Sequence, residues 1–241
     1  MRLLEMKKLL VAAVLALLVG LVGGPAQPAL AGDTTCTGVL TGVHDNVVVP
    51  ENAACTLQDT VVQGNVKVLR NATLVARGAD IRGSVQGDLS RHVLLQFRTQ
   101  VGGDFDVKAG PTSATGITGF DIGVRIGGNA KIEGNFGTTF VDAAIVQGNL
   151  DILKNSSSGR VEVEFNQVGG NLKVEDNVIA APGLSVLGNQ VTQNLQVVKN
   201  TGPGPKAVTA NTAGQSVQCF ENTPPFVGGP NTAPKKEGQC F

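Results

Sequence analysis

Along most of this chain, apolar and polar residues alternate in short bursts of apolar, polar, apolar. The bursts include Val66-Lys67-Val68, Phe105-Asp106-Val107, Ala130-Lys131-Ile132, Leu150-Asp151-Ile152, Leu172-Lys173-Val174, Leu195-Gln196-Val197 and Val217-Gln218-Cys219. A period of two is that of a β-strand with one buried face. Four residues before each burst stands another apolar residue, in the series Val43, Val62, Ile81, Val101, Ile126, Val146, Val168, Val191 and Ala213. The segments between bursts are rich in Gly, Val, Thr and Pro and lack the 3.6-residue periodicity of helices, so a βαβ arrangement does not fit.

Asparagine fixes the frame. One residue before each burst lies Asn46, Asn65, Ser84, Asp104, Asn129, Asn149, Asn171, Asn194 or Ser216, in steps of 19, 19, 20, 25, 20, 22, 23 and 22 residues. Six residues after each lies Asn52, Asn71, Ser90, Gly110, Asn135, Asn155, Asn177, Asn200 or Asn222. Gly87-Asp88-Leu89 competes with the Ser84 register, but it would leave only 16 residues before Asp104. A period near twenty-one marks a repeat architecture.

A strand this short cannot bury a face alone, so the copies must stack and bury it together. In a parallel stack, neighbouring copies lie roughly 4.8 Å apart and equivalent residues form columns. In a column of asparagines each side-chain amide can donate to the next. The frame therefore predicts an all-β parallel β-helix of about nine coils, ~21 residues each. The ladder residues would be Asn46, Asn65, Asn129, Asn149, Asn171 and Asn194 at one corner, with Asn52, Asn71, Asn135, Asn155, Asn177, Asn200 and Asn222 at the other. The Gly-Asn corners and the second Asn suit left-handed turn conformations. Coil length varies only after the second Asn, where residues 111–119, 156–159, 180–183 and 201–205 are inserted. Insertions on one side of a repeat fold form loops on one face, where a partner can bind.

Residues 1–31 read as a secretory signal peptide. Arg2, Lys7 and Lys8 precede an apolar run over 9–22, and Ala29-Leu30-Ala31 is a small-x-small cleavage site. The expected mature chain, 32–241, is then a single β-helix domain, secreted to the extracellular space of a bacterium. It contains no further apolar run long enough to span a membrane. Losing three basic residues and Glu5 takes the formal charge from 0 to −2, which leaves no basic excess for nucleic acid. Charged residues make up only 16%, and there is no Trp or Tyr, so flat aromatic platforms for sugars are scarce.

Cys36 and Cys55 each lie ten residues before a first Asn, and Cys219 and Cys240 are 21 apart. Four cysteines allow three connectivities. One-coil geometry favours Cys36–Cys55 and Cys219–Cys240, which would staple the two ends of the stack where strand edges are open. A metal site is the rival use of these thiols, but the chain has no CxxC and only two His. The sequence calls for no cofactor. Two carboxylate pairs, Asp104/Asp106 and Glu162/Glu164, have the i, i+2 spacing that puts both on one face of a strand at roughly 7 Å, near that of inverting glycosidases. Against this, Glu162 and Glu164 read as a solvated strand face, with Val161, Val163 and Phe165 inward, and nothing in the sequence shows burial that would tune either carboxylate. His44 and His92 read as turn or surface residues.

The pattern Val-x-Gly-Asn-Val/Leu-x-Val resembles right-handed parallel β-helix proteins. Gly78-Ala79-Asp80-Ile81-Arg82-Gly83-Ser84-Val85 is similar to a bactofilin coil, although bactofilins lack export signals and terminal disulfides. The tail, from Val217-Gln218-Cys219 through Glu221-Asn222-Thr223-Pro224 to Gly238-Gln239-Cys240, resembles secreted bacterial β-helix proteins without an assigned activity. The resemblance covers most of the mature chain and implies the fold. Pectate-lyase-like enzymes share that architecture, but their Arg/Asp signature is not found here, so their activity does not transfer. The expectation is a non-catalytic structural or binding scaffold. A polysaccharide lyase or glycoside hydrolase is the enzyme alternative. An adhesin gripping a cell-wall or extracellular glycan through its corner loops is the other.

Overall fold

A computed structural model describes residues 32–109, 116–180 and 183–241. The segment 1–31, expected to be a signal peptide, lies outside them, as do Gly110 and parts of the insertions 111–119 and 180–183. Asp33–Phe241 forms one compact unit. It is an all-β parallel β-helix in which each coil runs along three walls. The first wall is an eleven-stranded parallel sheet, from Asp33–Thr35 to Lys235–Gly238. The second and third walls belong to one seventeen-stranded sheet. They are continuous because Ala54–Val62 pairs along its length with both Thr73–Arg77 and Asp80–Ile81. In later coils a corner separates a longer second-wall strand, such as Val161–Glu164, from a two-residue third-wall strand, such as Gln167–Val168.

The pairing settles the register at Ser84, since Val85 faces Val66 on one side and Phe105 on the other. The inward column Val47, Val66, Val85, Phe105, Ala130, Leu150, Leu172, Leu195 and Val217 is buried throughout. β-Branched residues dominate the interior because they fit a pleated surface with little further loss of rotamer freedom. The bulk of Phe105 is offset by Ala130 in the next coil, and its ring meets Phe120 edge-on across the core at 4.6 Å.

The frame departs from expectation in the first coil. A register shift between Leu40 and Gly42 brings His44, not Val43, opposite Val62. Val43 is therefore turned out and 62% exposed. A one-residue slip inverts a strand's faces, and at the end of the stack no preceding coil opposes it.

The glycines at the first corner serve a different purpose from the one their turn chemistry implies. Positive φ is found elsewhere: none of Gly64, Gly83, Gly103, Gly128, Gly148 and Gly170 has it. They are needed for close approach, because a Cβ on Gly148 or Gly170 would fall 2.5 Å from Asn129 Oδ1 or Asn149 Oδ1 of the preceding coil. The left-handed positions are Gly134, Lys154, Asp176, Lys199 and Glu221, each just before a second Asn. Ala143, Phe165, Gly188 and Ala210 play the same part at the corner between second and third walls. Only in the first coils do Asn52 and Asn71 themselves adopt φ near 60°. Phe165 thus leaves the strand and projects outward, 57% exposed, while Val161 and Val163 stay buried.

The inserted residues also stack. Ser156–Ser157 pairs with Val178–Ile179, and Thr201 bridges to Val178, so inserted residues and the chain just before the 180–183 insertion build a short extra strip of sheet at the second corner.

Candidate functional site

Three asparagine columns run along the stack. In the first, the N–H of each residue donates to the side-chain oxygen of its counterpart one coil earlier. The bonds run from Asn65 N to Asn46 Oδ1 (2.9 Å) through Asp104 N to Ser84 Oγ (3.0 Å), then to Asn194 N and Asn171 Oδ1 (3.2 Å). In the second, direction reverses: Asn135, Asn155, Asn177 and Asn200 N–H donate to Oδ1 of Asn155, Asn177, Asn200 and Asn222 in the following coil. Gln239 Oε1 terminates this column by accepting from Asn222 N at 2.8 Å. Asn52 and Asn71 occupy the same column but are exposed, with Asn71 Nδ2 3.4 Å from Asn52 Oδ1.

Sequence reasoning missed the third column. Asn166, Asn189, Asn211 and Asn231 are buried at the corner between second and third walls and repeat the second column's pattern. A signal was present: Asn166, Asn189 and Asn211 each lie five residues before a first-column position. Asn177 of the second column uses its full capacity. Asn177 Nδ2 donates to Ile152 O (3.1 Å) and Asn200 Oδ1 (2.8 Å), and its Oδ1 accepts N–H and Nδ2 of Asn155 (both 2.9 Å). A left-handed residue precedes Asn155, Asn166, Asn177, Asn189, Asn200, Asn211 and Asn222, and each of these turns its side chain inward to cap a carbonyl of the previous coil's strand.

Cys36 is bonded to Cys55 and Cys219 to Cys240, with Cα separations of 5.5 and 5.7 Å. The partners are not at equivalent positions. Cys36 follows a first-wall strand and donates its N–H to Val48 O, while Cys55 starts the second wall opposite Leu74. Cys219 faces Gly238, two residues short of Cys240. Each bridge therefore joins first-wall backbone to a residue beyond its register partner.

The carboxylate pairs sit on two different walls. Asp104 belongs to the first ladder, its Oδ1 accepting Asn129 N at 2.7 Å. Asp106 lies on the outer face of the first wall, between Gln86 and Lys131 in register. Glu162 on the second wall pairs with Arg160 Nε at 3.0 Å. Burial raises its pKa, opposed by Arg160 and reinforced by Glu164 and Asp142. In register across the coils, Asp142 faces Glu164. Its pKa is raised by burial, then by the charges of Glu164 and Asp121. His92 is half-buried and takes the Ile117 N–H on Nδ1 at 3.0 Å. Burial, then Arg91, holds its pKa down.

Lys206 is the unexpected charge. It takes an inward place in line with Leu184, is 2% exposed, and donates Nζ to Gly202 O (2.7 Å) and Gly204 O (3.1 Å) of the inserted loop. Burial lowers its pKa.

A long concavity among the described residues lies on the third wall, away from the corner insertions. One stretch of about 740 Å³ is lined by Ile145, Gln147, Gln167, Gln190, Thr192 and Thr212 among others. A second, of about 400 Å³, adds Asp80, Arg82, Gln100 and Arg125 and shares Ile145 and Gln147 with the first. Together they form one trough running across successive coils. Its floor is low because Gly102, Gly127, Gly169 and Gly214 take positions two residues after the outward residue of a strand. No protein-family model, curated protein or solved structure matches the chain.

Proposed function

We propose that this chain is an exported, non-catalytic scaffold: a stiff parallel β-helix that presents a binding surface to an extracellular or cell-wall partner. The observation that carries the reading is the set of buried asparagine ladders. From Asn135 onward they tie each coil to the next by side-chain as well as backbone hydrogen bonds, and the buried amides are spent on holding the stack. The disulfides at both ends and the apolar leader fit an oxidising, extracellular setting, and the resemblance of the tail to secreted bacterial β-helix proteins agrees with it. The enzyme alternative draws less support, because Asp104 is tied into a ladder and Glu162 is paired with Arg160.

The test is to incubate the purified protein with panels of acidic and neutral extracellular glycans, following co-sedimentation and the release of new chain ends. Binding without new ends is the expected result. Release of ends that disappears on Glu162→Gln or Asp106→Asn would replace the scaffold reading with a lyase or hydrolase.

A further inference from the structure

We propose that the third-wall trough is a binding site for a linear, carboxylate-bearing polysaccharide lying along the helix axis. This rests on the scaffold reading and names the ligand class and the site. The trough crosses seven registers, from Asp80 through Gln100, Arg125, Ile145, Gln167 and Gln190 to Thr212. Six steps of one strand spacing give a length of about 29 Å, which suits an oligomer better than a single sugar.

The lining chemistry selects the ligand. Gln147, Gln167 and Gln190 offer amides, and Thr192 and Thr212 hydroxyls. Each both donates and accepts, as sugar hydroxyls do. Each of four successive coils contributes at least one of these side chains, with Gln167, Gln190 and Thr212 in one register row, so a chain of hydroxyl-bearing units meets a matching series of partners. At the end nearer the N-terminus, Arg82 and Arg125 add two guanidinium groups, with Asp80 the one carboxylate in the lining. Among the described residues the ion pairs join Lys131 and Lys154 to Glu133, Arg160 to Glu162, Lys173 to Glu175 and Lys235 to Glu237, so neither trough arginine is already paired. A guanidinium fork is matched to a carboxylate.

Other polymers fit less well. A peptide strand cannot add to this wall, because each third-wall strand is already hydrogen-bonded to the coil on either side within the trough. A single-stranded nucleic acid carries a charge at every unit and needs a basic groove along its length, whereas the trough's two arginines stand at one end only.

Isothermal titration calorimetry tests the proposal with three probes: a linear oligouronate, its carboxyl-reduced neutral counterpart, and inorganic polyphosphate. The oligouronate is expected to bind most tightly. Arg82→Glu with Arg125→Glu should weaken it by about tenfold or more, the scale of a lost charge-assisted contact, while leaving the weaker binding of the neutral counterpart unchanged. Gln167→Ala with Gln190→Ala should weaken both glycans. All four side chains point outward, so the variants should melt at the wild-type temperature.

Polyphosphate binding as tight as the oligouronate would overturn the glycan assignment. Oligouronate binding untouched by either double variant, or no oligouronate binding at millimolar concentration, would overturn the site while leaving the scaffold reading in place. Cleavage of the oligouronate would instead defeat the scaffold reading.

Discussion

At the scale of single residues, asparagine does two different jobs here. Asn149 and Asn171 sit at a half-exposed corner, where water can replace a lost acceptor. Asn177 is fully buried, with both amide hydrogens and both oxygen lone pairs engaged. Replacing it with Leu removes the acceptor for the Asn155 N–H and Nδ2 and takes one donor each from Ile152 O and Asn200 Oδ1. Asn177→Leu should therefore cost about 1–3 kcal/mol, the penalty for buried groups left unpaired, and Asn171→Leu clearly less. Urea denaturation of the two variants decides it, and equal losses would contradict the distinction. Glycine is tested the same way. Gly170→Ala places a methyl 2.5 Å from Asn149 Oδ1, so the corner must open. The overpacking should cost about 1–3 kcal/mol. A melting temperature unchanged from wild type would show that the corner yields freely.

At the scale of elements, the outward rows set how each wall meets solvent and charge. The second wall lines up Asp121, Asp142 and Glu164 on consecutive coils, Asp142 facing Glu164 and Phe120 facing Val141 in the paired strands. Burial and the like charges raise the Asp142 pKa above its ordinary 3.8. Just above pH 3.8 the folded protein thus holds a proton that the unfolded chain has released. Stability attributable to this group falls as pH rises through that interval and stays reduced above it. Asp142→Asn is therefore expected to stabilise the protein at neutral pH, with the gain vanishing below about pH 3.8. Thermal melts of both proteins between acid and neutral pH check this. A gain that is constant with pH would point to packing rather than charge.

At the scale of the whole molecule, a stack in which each coil touches only its neighbours frays from its ends. Cys36–Cys55 and Cys219–Cys240 close chain segments with sequence separations of 19 and 21, each worth on the order of 3 kcal/mol by chain entropy. Because they lie at opposite ends, their effects should be local. Reduction is expected to speed amide exchange in Val39–His44, Asn46–Val49 and Ser216–Phe220, leaving Leu150–Leu153 and Leu172–Glu175 protected. Uniform acceleration across all five strands would mean that the stack unfolds as one unit. The C-terminal bridge does more than tether. It holds the segment whose Gln239 ends the second ladder and whose Cys240 carbonyl accepts from Asn231 Nδ2 at 3.3 Å, so reduction should expose the last rung of two columns together.

The amino-acid sequence alone determined the repeat, the strand that opens each coil and the register of the first wall. These follow from local periodicity: a face that must be buried recurs every two residues, and an invariant six-residue spacing leaves one frame. It also revealed where coil length varies, because insertions shift the frame. Tertiary structure decided what depends on neighbours two or three walls away. The third asparagine column was overlooked because its members are defined by the carbonyls they cap across a corner, not by the burst beside them. Phe165 looked like the next inward residue of an alternating strand, but the left-handed bend ahead of Asn166 turned it out. Val43 slipped because no earlier coil holds it. Lys206 reads as a surface charge in any local window, and only the folded loop supplies the carbonyls of Gly202 and Gly204 that let it be buried. The trough is likewise a product of stacking: single Gln, Arg and Thr residues some twenty positions apart become one surface only when the coils bring them side by side.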